Sequence, residues 1–261
     1  MLRTVRATRY VAPLREGGSL PAIIEADDDG MYVLKFRGAG QGPKALIAEL
    51  LAGEIGRALA LPVPELVFVE IDPAFGQAEP DPEIKDLIEA SAGLNLALDF
   101  LPGALAFGPT AGANLDLVLA ASIVWFDAYV TNVDRTPRNP NLLLWGGRVW
   151  LIDHGAALYL HHGWSETGGP DPLVQATGRF PRIAEHMLLL HAASLHEIDA
   201  ALAGRLTPAT IAEIAGQIPE GWLQGDAAAA RAVYAAYLTR RLMEPRDWVE
   251  EAEHARIRLH S

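Results

Sequence analysis

Cysteine is absent from the 261 residues. No disulfide framework, Cys-based zinc site or thiol nucleophile can therefore be built from this chain. Lysine is nearly absent as well: only Lys35, Lys44 and Lys85 occur, and arginine carries the remaining positive charge. Long apolar runs are missing. The most apolar stretch, Leu117 to Phe126, is bounded by Asp116 and Asp127. It is too short to span a bilayer and reads as a buried helix, so no membrane span is expected. The N-terminus Met1-Leu2-Arg3-Thr4-Val5-Arg6 lacks the apolar run of a signal peptide, which makes a cytoplasmic location the expectation. Basic character is in deficit too. A formal net charge of -12 argues against direct nucleic-acid binding.

What is present is concentrated between Asn132 and Gly155. Asp134 is followed five residues later by Asn139, then by two apolar runs, Leu142 to Trp145 and Arg148 to Ile152, separated by Gly146-Gly147, and then by Asp153. Two glycines between apolar runs predict a two-residue hairpin, because that turn needs positive φ. The turn sets Trp145 opposite Arg148 and Asn141 opposite Ile152. Continuing the ladder puts Asp153 opposite Pro140, one step from Asn139, at the open end of the hairpin. Two oxygen ligands and one acid then converge, as phosphoryl transfer from a metal-bound nucleotide requires. Asp134 would orient a hydroxyl nucleophile, and Asn139 and Asp153 would hold the metal. Asn141 rivals Asn139 as a ligand, but the five-residue spacing favours Asn139.

Lys35 lies in Met31 to Phe36, an apolar run that reads as a strand. Alternation places Val33 and Lys35 on one face and Tyr32, Leu34 and Phe36 on the other. An ammonium presented from a strand suits nucleotide phosphates. Further strands are expected over Val5–Leu14, Ala22–Ala26, Leu66–Ile71 and Leu94–Leu101. Helices are expected from Pro43 to Leu61, stopping before Pro62, then over Asp81–Ala90 and Leu115–Val130. From Pro181 onward the chain reads as helical, with a break near Pro245. These elements predict an α+β fold with a strand-rich first part and a mostly helical remainder.

Several of these segments together resemble the HipA-like kinases, bacterial members of the protein-kinase-like superfamily. They are Tyr32 to Phe36, Ala48-Glu49-Leu50-Leu51-Ala52, Leu59 to Glu65, Asn132-Val133-Asp134 with Asn139, and Leu151-Ile152-Asp153-His154-Gly155. The resemblance covers most of residues 20–160, and its motifs also resemble the phosphatidylinositol kinases and, more loosely, the aminoglycoside phosphotransferases. It implies a two-lobed fold, with an N-lobe over 1–101 and a helical C-lobe over 102–261. It also implies an ATP- and Mg-dependent kinase acting on a protein Ser/Thr hydroxyl. A small-molecule or lipid phosphotransferase and a nucleotide-binding pseudokinase are the alternatives. By position, Lys35 resembles the phosphate-binding lysine and Glu49 its helix acid, with Glu54 on another helical face. Asp134 resembles the catalytic Asp, and Asn139 and Asp153 the metal ligands. Leu98, Asp99 and Phe100 resemble the hinge where backbone groups meet adenine. Gly17, Gly18 and Ser19 are the only candidate phosphate loop, and Ser19 would be the autophosphorylation site. His154 stands where protein kinases carry Phe in Asp-Phe-Gly. The length leaves little room for the extra N-terminal subdomain of full-length HipA toxins, so a toxin–antitoxin role is not expected.

Other conspicuous residues read as structural. His161, His162, His186, His191 and His196 lack organised carboxylate partners and suggest surface or helix-face positions. Trp222, Trp248 and Tyr237 suggest core packing, and Glu250-Glu251 a solvated helix face.

Overall fold

The computed structural model describes residues 1–14, 20–40, 42–76, 79–108, 115–164 and 169–260. Gly17, Gly18 and Ser19 lie outside them. The first part holds strands β1 (Thr4–Pro13), β2 (Ala22–Ala26), β3 (Met31–Lys35), β4 (Leu66–Ile71) and β5 (Gly93–Asp99), with helices α1 (Pro43–Ala58) and α2 (Pro82–Ala90). The remainder adds strands β6 (Leu105–Ala106), β7 (Leu142–Trp145) and β8 (Arg148–Leu151). Its helices are α3 (Leu117–Tyr129), α4 (Pro172–Ala176), α5 (Leu195–Ala203), α6 (Pro208–Gly216), α7 (Ala227–Leu242) and α8 (Asp247–Leu259). The expected mixed α+β arrangement is present. In the expected all-helical tail, 181–185 and 189–191 are single 3₁₀ turns.

The strand-rich part is a closed barrel in the order β1-β2-β3-β5-β4. Neighbours are antiparallel except β1 and β4, which close the barrel in parallel through Thr4–Phe68, Val5–Val69 and Arg6–Glu70. Val67, Val69 and Ala97 turn to one face and join Val5, Ile24, Tyr32 and Leu34, with Ile84 and Ile88 of α2, in one apolar cluster. Leu66, Phe68, Leu96 and Leu98 turn to the other face and join α1. β4 and β5 alternate between two cores, as a period of two requires, whereas β1, β2 and β3 give their buried apolar residues to the first cluster alone.

Helix α1 starts at Pro43, suited to a first turn where its missing N–H is no loss, and ends at the left-handed Ala60 (φ 60) before Pro62. Its Gly53 and Gly56 look out of place in a helix. A Cβ at either would come within 2.9 Å of Leu66 or Val63, so glycine lets the helix lie directly on the start of β4. α1 and α3 belong to one continuous apolar cluster that extends through α5, α6, α7 and α8. α3 is buried from Ala120 to Tyr129, as an all-round apolar helix must be. Trp222, Tyr237 and Trp248 lie in this core. No helix among the described residues is long and apolar enough to cross a membrane.

Candidate active site

The β7–β8 hairpin forms with the expected register, Trp145 opposite Arg148 and Leu142 opposite Leu151. Gly146 and Gly147 take φ of 57 and 74, the conformation a two-residue hairpin turn demands. The ladder ends where Ile152 N–H donates to the Asn141 carbonyl. Asn141 (φ 48) and Asp153 (φ 55) both enter the left-handed region. The chain therefore turns out of the sheet there, and Asp153 does not continue the ladder opposite Pro140. That turn aims the Asp153 carboxylate at Lys35, 2.6 Å away.

Lys35 ends β3 on the outward face, where it meets α1. Its Nζ lies 3.9 Å from Glu49 Oε2, and Glu49 is 1% exposed. Burial lowers the Lys35 pKa, but the charges of Glu49 and Asp153 outweigh it and leave the ammonium above its ordinary value. Burial likewise pushes the Glu49 carboxyl up, and Lys35 and the His154 hydrogen bond reverse this and bring it to about 2. Both groups are charged at neutral pH. Glu54 faces elsewhere, 3.2 Å from Arg57.

Asn139 donates its amide to Asp134 Oδ2 at 2.7 Å, and Asn141 donates to the same oxygen at 3.2 Å and to the Asp153 carbonyl at 3.4 Å. Among the described residues, no hydrogen bond reaches the other Asp134 oxygen or the Asn139 amide oxygen. One cavity of about 230 Å³ is lined by Lys35, Glu49, Asp134, Asn139, Asp153, and Gly40 and Gly42 just before α1. Leu98, Asp99 and Phe100 do not line it. The Asp99 and Phe100 N–H groups are taken by the Glu65 and Met31 carbonyls, because both residues still extend the barrel pairing.

A buried polar hub beneath the loop escaped sequence reading. Asp127, at the end of α3, is fully buried. It accepts from Asn132 Nδ2 (2.9 Å) and Arg135 Nε (2.5 Å) and lies 2.9 Å from His186 Nε2. Arg135 also donates to the Asn141 carbonyl, and Asn132 Oδ1 accepts from the Asp134 N–H at 3.1 Å. Burial raises the Asp127 carboxyl, and the Arg135 charge and the His186 hydrogen bond overcome it, holding the group below the usual carboxylate range. The hub thus fixes both ends of the Asp134–Asn141 loop. Arg241 of α7 is also buried and donates to the Ala128 and Tyr129 carbonyls at 2.8 Å each. It adds donors to carbonyls at the C-terminus of α3, where the helix's own N–H groups run out. An Asp at the end of an apolar helix, with an Asn five and an Arg eight residues later, was the available signal.

His161 and His186 are not on the surface: each is buried, His186 on Asp127 and His161 with Nδ1 3.2 Å from the Tyr234 hydroxyl. Both partners come from distant parts of the chain, 59 and 73 residues away, which local spacing does not reveal. Among the described residues no group of three or more His, Cys, Asp or Glu could by itself hold a metal ion. Apart from Glu49, which faces Lys35, the cavity offers the Asp134 and Asp153 carboxylates and the Asn139 amide oxygen. That donor set fits magnesium, which takes one or two carboxylates and completes its shell with phosphates and water.

The family model of the HipA-like kinases matches residues 8–166. The crystal structure of the Helicobacter pylori proinflammatory kinase CtkA is similar in fold. It aligns with a TM-score of 0.53 at 12% identity, covering 96% of this chain and 98% of that one. No curated protein matches the sequence.

Proposed function

The chain belongs to the HipA-like kinases, and from that premise we propose that it transfers the γ-phosphoryl group of ATP, with magnesium, to a Ser or Thr hydroxyl of a protein. The observation that carries this reading is the meeting of Lys35, Glu49, Asp134, Asn139 and Asp153 on one cavity, although they come from β3, α1, the loop after α3 and the end of β8. Lys35 grips nucleotide phosphate, oriented by Glu49. Asp134 orients the acceptor hydroxyl and takes its proton late, since phosphoryl transfer depends on positioning and charge stabilisation more than on strong base chemistry. Asn139 and Asp153 would hold the magnesium, which when bound would neutralise charge on the phosphates. The strand-rich barrel and the helical remainder act as two lobes that meet at this cavity, with the boundary near residues 101–102.

A protein acceptor is favoured by a second groove of about 650 Å³ against the same loop. Its walls include Pro137, Arg138, Met187, Leu190 and Leu259. Leu190 and Leu259 are half exposed, so this surface suits a segment larger than a small polar metabolite. Incubation with radiolabelled ATP and magnesium, with and without protein acceptors, is the test. Label on protein Ser or Thr is the expected result. Label only on small molecules would replace the acceptor class. Nucleotide binding with no transfer would make the chain a pseudokinase.

A further inference from the structure

His154 follows Asp153 directly and is fully buried. Its ring meets Phe126 edge to face, 5.7 Å between centroids at 77°. Nδ1 lies 3.4 Å from Glu49 Oε1, while the other Glu49 oxygen faces Lys35. Nε2 is buried with no partner among the described residues. Packing alone does not account for this side chain. A phenylalanine would fill the same space against Phe126 without leaving a buried nitrogen unpaired, which is unfavourable. An ionised Glu49 can only accept, so Nδ1 must carry the proton, and the unpaired Nε2 is the consequence of that choice.

We propose that His154 is a positioning residue whose Nδ1–H holds the Glu49 carboxylate toward Lys35, tying α1 to the segment that carries Asp153. This rests on the kinase reading for its purpose and on geometry for its existence. Lys35 is closer to Asp153 than to Glu49. When Asp153 is claimed by a metal ion, Lys35 needs Glu49 in place. His154 keeps it there from the same backbone stretch that presents Asp153, so the two carboxylates keep their relative position.

Two substitutions separate this role from packing. His154→Phe keeps the ring and its contact with Phe126 but removes the donor. His154→Asn keeps a donor near the position of Nδ1 but gives up most of the ring. A positioning role predicts that His154→Phe folds normally while kcat falls about tenfold or more, the loss of a hydrogen bond to a charged group. His154→Asn should melt earlier yet retain kcat within about threefold. In a Glu49→Gln background, His154→Phe should add little further loss, because the two act as a unit. A merely structural residue gives the reverse order, with the Phe variant active and the Asn variant impaired, and that result overturns the proposal. A second readout needs no activity. In ¹⁵N spectra of the full-length protein without nucleotide, the His154 Nδ1 should carry its proton, and a bare Nδ1 overturns the proposal. Absence of phosphoryl transfer by the unaltered protein would defeat the kinase reading and leave this spectroscopic arm standing.

Discussion

The Lys35 ammonium lies 2.6 Å from the Asp153 carboxylate, so the cation expected to take phosphate and the carboxylate expected to take metal neutralise each other. Neither charge stands alone. On the proposed function, a nucleotide phosphate would take over Lys35 and magnesium would take over Asp153, so this pair would be exchanged for two new ones.

Lys35→Met should lower phosphoryl transfer by about 10²–10³-fold, the loss of a preorganised charge aimed at the transferring group. It should also destabilise the fold by about 3 kcal/mol, since Glu49 would remain as a buried charge with only His154 beside it. Adding Glu49→Gln should restore much of the stability and none of the activity. Chemical denaturation and a radiolabel assay on the two variants check both halves. A Lys35→Met protein with full activity would remove the lysine from the chemistry.

Asp153→Asn should abolish metal-dependent nucleotide binding while the fold persists, because the Asp153 side chain is 41% exposed and its loss leaves no sealed cavity. Nucleotide titrations with and without magnesium measure this. An unchanged magnesium dependence counts against the assignment.

Asp127→Asn should cost about 3–5 kcal/mol, the range for stranding one member of a buried ion pair, here Arg135. Both ends of the Asp134–Asn141 loop depend on this carboxylate, so activity should fall with stability. Urea denaturation reads the first and the transfer assay the second. A variant as stable as the parent would show that the hub is dispensable.

His161 sets a pH response. Burial, with His162 and Lys44 nearby, lowers its pKa from 6.5 to about 3. The unfolded chain therefore binds a proton in this window that the folded chain refuses. The associated stability is complete above about pH 6.5 and declines by about 1.4 kcal/mol per pH unit as pH falls toward 3. His161→Gln should flatten this part of the stability curve. Identical curves for variant and parent between pH 6.5 and 4 would show that the histidine does not govern the decline.

Local patterns carried most of the elements. Proline at 43 and 62 marked the limits of α1, and glycines at 146 and 147 fixed the β7–β8 register, because turn chemistry acts over a few residues. Closure of the barrel was not legible, since the β1–β4 pairing joins Val5 to Val69 and leaves no mark on either strand. The meeting of Lys35 with the hairpin end could be inferred only from residue order and resemblance. Its contact with Asp153 spans the chain, and the positive φ at Asn141 and Asp153 that creates it follows no periodicity. The Asp127 hub and the burial of His161 and His186 depend on elements far downstream, where spacing has nothing to say.

The apolar side of α1 raises a different issue, that of synthesis. The barrel strands and α1 all lie before residue 100, whereas the helices that cover α1 in the continuous cluster, α3 and α6 among them, come from 117 onward. Chains emerge N-terminus first, at about 5–20 residues per second. The barrel can close and cover one side of α1 while the ribosome is still working, but the side that meets α6 must then wait several seconds for its cover. During that interval a nascent chain presents the kind of surface that chaperones hold and that aggregates grow from. Slowing elongation beyond residue 100 should therefore lower the soluble yield of this protein, and a chaperone that binds apolar helices should restore it.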